Sequence, residues 1–277
     1  MIEIGKFNTL KILRDTEPGL FLGDDQDNEV LLPNRYVPQD FELDEMIDVF
    51  VYLDNEERLV AVTDTPYIQK GEFALLRCNA VNDFGAFMDW GMVKELFCPF
   101  IEQAFKMIEG GWYLVYCYLD EKTERLVASS KTNRFLTNNN LNIEIHEEVD
   151  LIVSHPSALG MNVIINNSHL GLIYKDDIFK DLSIGDKIKG YVKKIREGNK
   201  IDITLQKMGY RNIEPSAKEL LKLISIHNGK LSITDKSSPE EIRTIAQMSK
   251  KSFKKAVGSL YKKRLISLEN DGIYLKN

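Results

Sequence analysis

Gly19-Leu20-Phe21-Leu22 is answered further along the chain by Gly85-Ala86-Phe87-Met88, and the sequence around the two stretches keeps their spacing. Glu29 to Pro33 (EVLLP) stands equally far before Glu95 to Pro99 (ELFCP), and Tyr52-Leu53-Asp54 equally far before Tyr118-Leu119-Asp120. Arg58-Leu59-Val60-Ala61 recurs as Arg125-Leu126-Val127-Ala128, one position later than that spacing requires, so one residue has entered between Asp120 and Arg125. That stretch is polar and reads as a hairpin turn, where an insertion is tolerated. A shared offset across four separate blocks means that a folding unit of about 65 residues has been duplicated. Each copy is a string of short strands, and small all-β barrels of this size commonly serve as binding modules.

In the second copy Phe73 to Val81 reads as a strand, Asn82-Asp83 as a turn, Phe84 to Met88 as a second strand and Glu95 to Cys98 as a third. Residues 99–111 carry Phe, Ile and Met at helical spacing and end in Gly110-Gly111, which predicts a helical connector. Trp112 to Leu119 and Arg125 to Ser129 supply the fourth and fifth strands. Five short strands with a connector after the third is the pattern of an OB-type barrel. The first copy follows the same order from Ile4 to Thr63. A weaker third copy follows the second at a somewhat longer fixed spacing: Gly160 answers Gly85, and Lys200-Ile201-Asp202-Ile203 answers Arg125-Leu126-Val127-Ala128. Gly198-Asn199 marks its last hairpin, and the extra residues fall in the Asn-rich linker Thr132–His146.

After Met208 the period changes. Pro215 to Ile226 has apolar residues at helical spacing, closed by Asn228-Gly229, and Leu231 to Thr234 reads as a short strand. Ser238-Pro239-Glu240-Glu241 is an N-cap, a first-turn proline and helix-starting acids, for a helix running to about Gln247. Ser249 caps a further helix to Arg264, with Phe253, Ala256, Val257 and Leu260 on its buried stripe, and a hairpin follows through Asn270-Asp271-Gly272. This is the element order of a winged helix-turn-helix domain. The expected fold is therefore mainly β with α, with three tandem five-stranded OB-fold barrels over 1–66, 67–146 and 147–210 and a winged helix over 211–277.

Hydrophobic content of 43% supports real cores. No apolar run reaches membrane length and no leader pattern opens the chain, so the expectation is a cytoplasmic protein, neither membrane-spanning nor secreted. Cys78, Cys98 and Cys117 lie inside strands without paired spacing and suit a reducing compartment as small core hydrophobes. The net charge of -6 is unevenly spread. Residues 1–72 hold 6 Lys+Arg against 17 Asp+Glu, whereas residues 211–277 hold 14 against 7. A polyanion is repelled by the first segment and attracted by the last.

The third copy resembles S1-type RNA-binding domains in Gly160, Gly171-Leu172-Ile173, the Leu182-x-x-Gly185-Asp186-x-Ile188 segment and Ile201-x-Ile203-x-Leu205. Phe84-Gly85-Ala86-Phe87 resembles the aromatic second strand of the same module. Three such domains before a winged helix, with Ser238-Pro239-Glu240-Glu241-Ile242 and the segment from Met248 to Ala256, resemble the conserved virulence factor B family of bacterial RNA-binding regulators. The resemblance covers essentially the whole chain. It implies a protein that binds RNA and influences gene expression, without catalysis.

S1-type domains stack bases on two aromatics of the second strand, and only the second copy supplies both, Phe84 and Phe87. The first has Pro18 and Phe21 there; the third has Leu159 and Asn162. A histidine common on the third strand is replaced by Leu32, Cys98 and Tyr174. The first copy therefore reads as a scaffold or protein-contact domain. Phe84 and Phe87 are an odd number of residues apart, so sharing one face requires a bend at Gly85; plain core packing is the competing reading. Arg77, Arg125, Lys131 and Arg134 are available for phosphates.

In the third copy Lys187, Lys189, Tyr191 and Lys193 share one strand face, with Lys194, Lys200 and the ring of Tyr174 nearby. Like charges on one face repel unless an anion lies across them, which favours a binding role over a solvated face. In the tail, Lys250, Lys251, Lys254 and Lys255 crowd the start of the last helix against its dipole. This predicts backbone contact of low sequence specificity, with a protein-docking wing as the alternative.

No phosphate loop, dinucleotide fingerprint or metal-ligand spacing is present in the sequence, and Asp24-Asp25-Gln26-Asp27 reads as a hairpin turn. No enzyme activity, cofactor or metal is expected. The partner expected is RNA, single-stranded for preference; a ribosome- or transcription-associated protein adaptor and a DNA-binding regulator remain the alternatives.

Overall fold

The structure, a computed structural model, describes residues 1–178, 181–205, 215–269 and 271–276. Residues 1–203 form one compact unit and 204–277 another. The expected boundary between residues 210 and 211 lies outside the described residues, as does Asn270 of the last turn.

The first unit is three closed five-stranded barrels. Barrel 1 comprises β1 (Phe7–Thr16), β2 (Gly19–Gly23), β3 (Glu29–Pro33), β4 (Met46–Leu53) and β5 (Leu59–Val62). Barrel 2 comprises β6 (Phe73–Val81), β7 (Gly85–Asp89), β8 (Leu96–Pro99), β9 (Trp112–Asp120) and β10 (Arg125–Ser129). Barrel 3 comprises β11 (Glu148–Pro156), β12 (Gly160–Ile165), β13 (His169–Tyr174), β14 (Lys187–Arg196) and β15 (Lys200–Thr204). In each, the third and fifth strands pair in parallel and close the ring.

The duplicated spacing is a spacing of core positions. Leu10, Ile12, Leu20, Leu22, Val30, Leu32, Val49 and Val51 are buried in barrel 1. Leu76, Cys78, Ala86, Met88, Leu96, Cys98, Val115 and Cys117 are buried at the same places in barrel 2. The three cysteines thus replace Ile12, Leu32 and Val51 inside a barrel, and burial pushes the Cys98 and Cys117 thiols up to about 12. The first strands share a bulge as well, between Ile12 and Arg14 and between Cys78 and Ala80, which bends each strand into closure. Gly85 is glycine because a Cβ there would meet the Cys98 carbonyl oxygen at 2.4 Å; Gly19 and Gly160 face the equivalent carbonyls at 2.1 and 2.0 Å.

The connector over residues 99–111 corrects the helical expectation: only Phe100–Glu102 makes a turn of 3-10 helix. Its backbone groups find partners elsewhere. Gly110 N–H donates to the Cys78 carbonyl, Gly111 carbonyl accepts from Cys78 N–H, and Ala104 N–H donates to Ser130 Oγ. Met107 is buried, while the Gln103 amide ties Cys98 to Met107 across the loop.

The barrels pack on one another. Trp90 is buried edge-on against Phe50 and Tyr52, with ring centroids 5.7 and 6.0 Å apart, joining barrels 1 and 2 into one apolar cluster. Phe73 of barrel 2 is buried with Ile152 and Ile164 of barrel 3, beside the stacked Tyr116–Phe135 pair. The linker is fastened to barrel 3: the Asn138 amide donates to the carbonyls of Leu170 and Asn199, and buried His169 lies 2.6 Å from both the Thr137 carbonyl and Asn142 Oδ1.

The second unit has α1 (Pro215–Ile226), β16 (Lys230–Leu231), α2 (Pro239–Ala246), α3 (Lys250–Lys262) and the hairpin of β17 (Ile266–Glu269) and β18 (Gly272–Leu275). It is a winged helix domain. Ser238 and Glu241 form a reciprocal capping box at α2, and Ser249 caps α3. Phe253, Ala256, Val257 and Leu260 are buried with Ala217, Leu220, Leu221 and Ile224 of α1. The short strand sits at Lys230–Leu231, earlier than expected, because that is where the backbone meets Ile273 and Tyr274 of β18. Among the described residues, no helix is long and apolar enough to cross a membrane.

Candidate nucleic-acid interface

The outward face of β7 and β8 carries an aromatic pair. Side chains alternate along a strand, so Phe87 and Phe97, cross-strand partners, both point away from the barrel interior. Their ring centroids lie 5.2 Å apart. Phe84 precedes β7 and needs no strand bend. Asn82 Oδ1 accepts from the N–H groups of Phe84 and Gly85, at 2.8 and 3.1 Å, and this side-chain turn projects the Phe84 ring into solvent, 74% exposed. The expected bend at Gly85 is therefore corrected to a turn before the strand.

Phe84 and Phe87 line a cleft of about 1040 Å³ between barrels 1 and 2. Lys94 and Arg125 are its cations; Asp89, Glu95 and Asp120 bring carboxylates. Barrel 1 forms the opposite wall through Tyr52, Asn55 and Glu57. Arg125 pairs with Glu57, and Lys94 Nζ donates to the Asp54 carbonyl at 2.6 Å. Burial, aided by the Arg125 charge, pulls the Lys94 ammonium below its usual range.

The remaining candidates in barrel 2 lie elsewhere. Arg77 is exposed on β6, opposite Asp89 and Trp112, and Lys131 is half-buried before a 3-10 turn. Arg134 Nη1 lies 2.9 Å from both carboxylate oxygens of Glu102, a buried acid. Burial pushes the Glu102 carboxyl up, yet hydrogen bonds from Ser129 and Arg134 and the charges of Arg134 and Lys131 outweigh it and hold the carboxyl down.

In barrel 3 the lysine face exists, with a correction. Lys189 pairs with Asp150 at 2.7 Å, the Tyr191 hydroxyl donates to Glu148 at 2.6 Å, and Lys193 pairs with buried Asp177 at 2.8 Å. Carboxylates of the same barrel neutralise this face, so mutual repulsion no longer calls for an external anion. Lys187, Lys194 and Lys200 are exposed and make no ion pair with a described residue. The Tyr174 ring lies 5.9 Å from Lys193 Nζ and 5.8 Å from Arg196 Cζ. On α3, Lys251, Lys254 and Lys255 are exposed and Lys250 half-buried in the first turns.

Sequence reasoning missed Phe97, Lys94 and Glu57. Phe97 was legible by alternation, two positions from the start of the ELFCP block. Glu57 enters the site only because barrel 1 folds against barrel 2, and Lys94, between β7 and β8, finds its Asp54 partner there for the same reason.

Known families match the first barrel and the helical domain of this chain. Residues 4–64 match the S1 domain family and residues 218–275 match the CvfB-like winged helix domain. Uncharacterized protein YitL of Bacillus subtilis is 27% identical over 98% of this chain and 93% of its own length. Conserved virulence factor B of Staphylococcus epidermidis is 25% identical over 85% of this chain and 82% of its own. A crystal structure of a multidomain protein with nucleic acid binding domains from Streptococcus pneumoniae aligns over 99% of this chain and 98% of its own, at 22% identity and a TM-score of 0.43. The likeness to conserved virulence factor B thus extends over most of the chain.

Proposed function

We propose that this chain, built of S1-like barrels and a winged helix, is an RNA-binding regulatory protein that holds single-stranded RNA at barrel 2. The observation that carries the reading is the open aromatic face of that barrel. Phe84 stands in solvent beside the Phe87–Phe97 pair, in a cleft that also holds Lys94 and Arg125. An exposed ring costs free energy in water and offers a π-face to any base, which suits a single strand better than a stacked duplex. Lys187, Lys194 and Lys200 of barrel 3 offer further cations to phosphates, and the lysines at the start of α3 offer a separate set on the second unit. The reading assigns binding alone and no catalytic step.

The test is affinity for single-stranded RNA as a function of salt, for the intact chain and for one lacking residues 211–277. Counterion release makes log K fall linearly with log salt, by about 0.7 per phosphate neutralised on a single strand, so truncation should flatten the slope. A salt-independent affinity rejects the reading. Competition among single-stranded RNA, duplex RNA and duplex DNA should rank the single strand first; a duplex DNA preference would favour a DNA-binding regulator.

One feature favours a second reading, an adaptor acting through protein contacts. The connector and its flank expose Phe100, Ile101, Phe105, Ile108 and Trp112. The aliphatic members offer no stacking face and resemble a protein contact surface. Partners retained in a pull-down after nuclease treatment would support it.

A further inference from the structure

The cleft that the proposed RNA site uses is not free to receive phosphate as it stands. Its two cations are already engaged, and both partners come from one hairpin of barrel 1, the turn between β4 and β5. Asp54 organises that turn: its Oδ1 accepts from the N–H groups of Glu56 and Arg58 at 2.8 and 3.0 Å. Glu57 then adopts a left-handed backbone, φ 65°, and extends its carboxylate to Arg125. The Asp54 carbonyl takes the Lys94 ammonium. With Arg125 and Lys94 so occupied, the other charged groups lining the cleft are Asp89, Glu95 and Asp120. An incoming phosphate meets more carboxylates than cations there, and the withdrawal of Glu57 removes one of those carboxylates and frees Arg125.

We propose that the β4–β5 hairpin of barrel 1 is a displaceable anionic plug, in which Glu57 stands in for the RNA phosphate on Arg125 and leaves when RNA enters. This rests on the reading of barrel 2 as the RNA site. Several features suit a displaceable contact. Arg125 and Glu57 are 50% and 57% exposed, and ion pairs so exposed contribute little to stability. A phosphate offers the guanidinium two oxygens in the geometry that it binds well. The hairpin also gives a purpose to the acidity of barrel 1: it sets a threshold that weak or non-specific polyanions fail to pass, and only a strand that also stacks on the rings overcomes it.

The experiment compares the full chain with Glu57→Gln and with Glu56→Gln, using a fluorescein-labelled single-stranded oligouridylate. Glu56 sits in the same turn, is 71% exposed and pairs with Arg58, so its substitution changes the net charge equally without freeing Arg125. Glu57→Gln should raise affinity about three- to tenfold at low salt and steepen the log–log salt slope by about 0.7, one extra phosphate contact on a single strand. Glu56→Gln should change affinity less than twofold. Adding Arg125→Ala to Glu57→Gln should abolish the gain. Equal effects of the two glutamate variants, no change in Glu57→Gln or a loss in it would overturn the plug. If Phe87→Ala still weakens binding in that case, only the plug falls. If neither the parent nor any variant binds the oligonucleotide, the RNA reading of barrel 2 falls with it. Thermal unfolding of each variant, expected unchanged, guards against a trivial loss.

Discussion

Barrels 1 and 2 descend from one unit, keep the same interior and differ on one face. In barrel 1, Arg14 lies across β1–β2 from Phe21, with its guanidinium 4.2 Å from the ring centroid. Glu29 holds that guanidinium with two hydrogen bonds of 2.7 and 2.6 Å. The face of Phe21 is thus covered by the protein itself. In barrel 2 the residue opposite Phe87 is Ala80, so no guanidinium covers the ring, and Glu95, the counterpart of Glu29, accepts from Asn79 instead. Pro18 of barrel 1 is replaced by the exposed ring of Phe84. Duplication preserved what closes the barrel and released what faces solvent, which is where a binding site can diverge without unfolding its carrier.

The largest expected effect tests the open face. The double substitution Phe84→Ala, Phe87→Ala should cost about 2–6 kcal/mol of RNA binding, at roughly 1–3 kcal/mol per stacked base, while Phe21→Ala stays near parental affinity. Equal losses at the two barrels would erase the distinction.

Next is the opposite kind of difference, at a buried position. The counterpart of barrel 1 Tyr36 is Glu102, a buried carboxylate answered by Arg134. Arg134→Ala should destabilise the chain by about 1–3 kcal/mol at neutral pH, by leaving a buried charged group short of its partner. Because the folded Glu102 carboxyl is held below its usual range, the stabilisation is present above the unfolded carboxylate range and is lost as pH falls through the folded value. Denaturant unfolding at neutral and acid pH should show the two proteins converging in acid.

A smaller effect comes from exchanging the faces. Ala80→Arg should cover Phe87 using Glu95 as the second partner and weaken RNA binding by about 1 kcal/mol despite the added positive charge, which by itself would strengthen it. Tighter binding would mean that charge, not ring access, governs barrel 2. The smallest expected effect is the reverse substitution: Arg14→Ala uncovers Phe21 and should change affinity by no more than about 0.5 kcal/mol, because Pro18 leaves barrel 1 without the second ring.

Much of this was legible in the sequence. The repeated spacing located the barrels and their strands, and the structure adds that the same spacing repeats the buried positions, the first-strand bulge and the glycine that meets a backbone carbonyl. Ser238 and Ser249 marked the helix starts correctly because capping is local chemistry. The connector misled: Phe, Ile and Met at helical spacing suggested a helix, but its backbone donors are taken by Cys78 and Ser130, distant in sequence. The lysine face of β14 was placed correctly by alternation, whereas its neutralisation by Asp150, Glu148 and Asp177 depends on strands and loops far along the chain.

The chain by itself determined where the strands and helices run and which stripe of the last helix turns inward, because periodicity is a property of a single strand or helix; for Phe84 and Phe87 it left stacking and core packing both open. It determined too that two rings stand near the start of β7. Tertiary structure alone decided what those rings face. A cleft needs two walls, and its second wall, with Glu57 on Arg125 and the Asp54 carbonyl on Lys94, comes from a barrel whose packing through Trp90 no local pattern encodes.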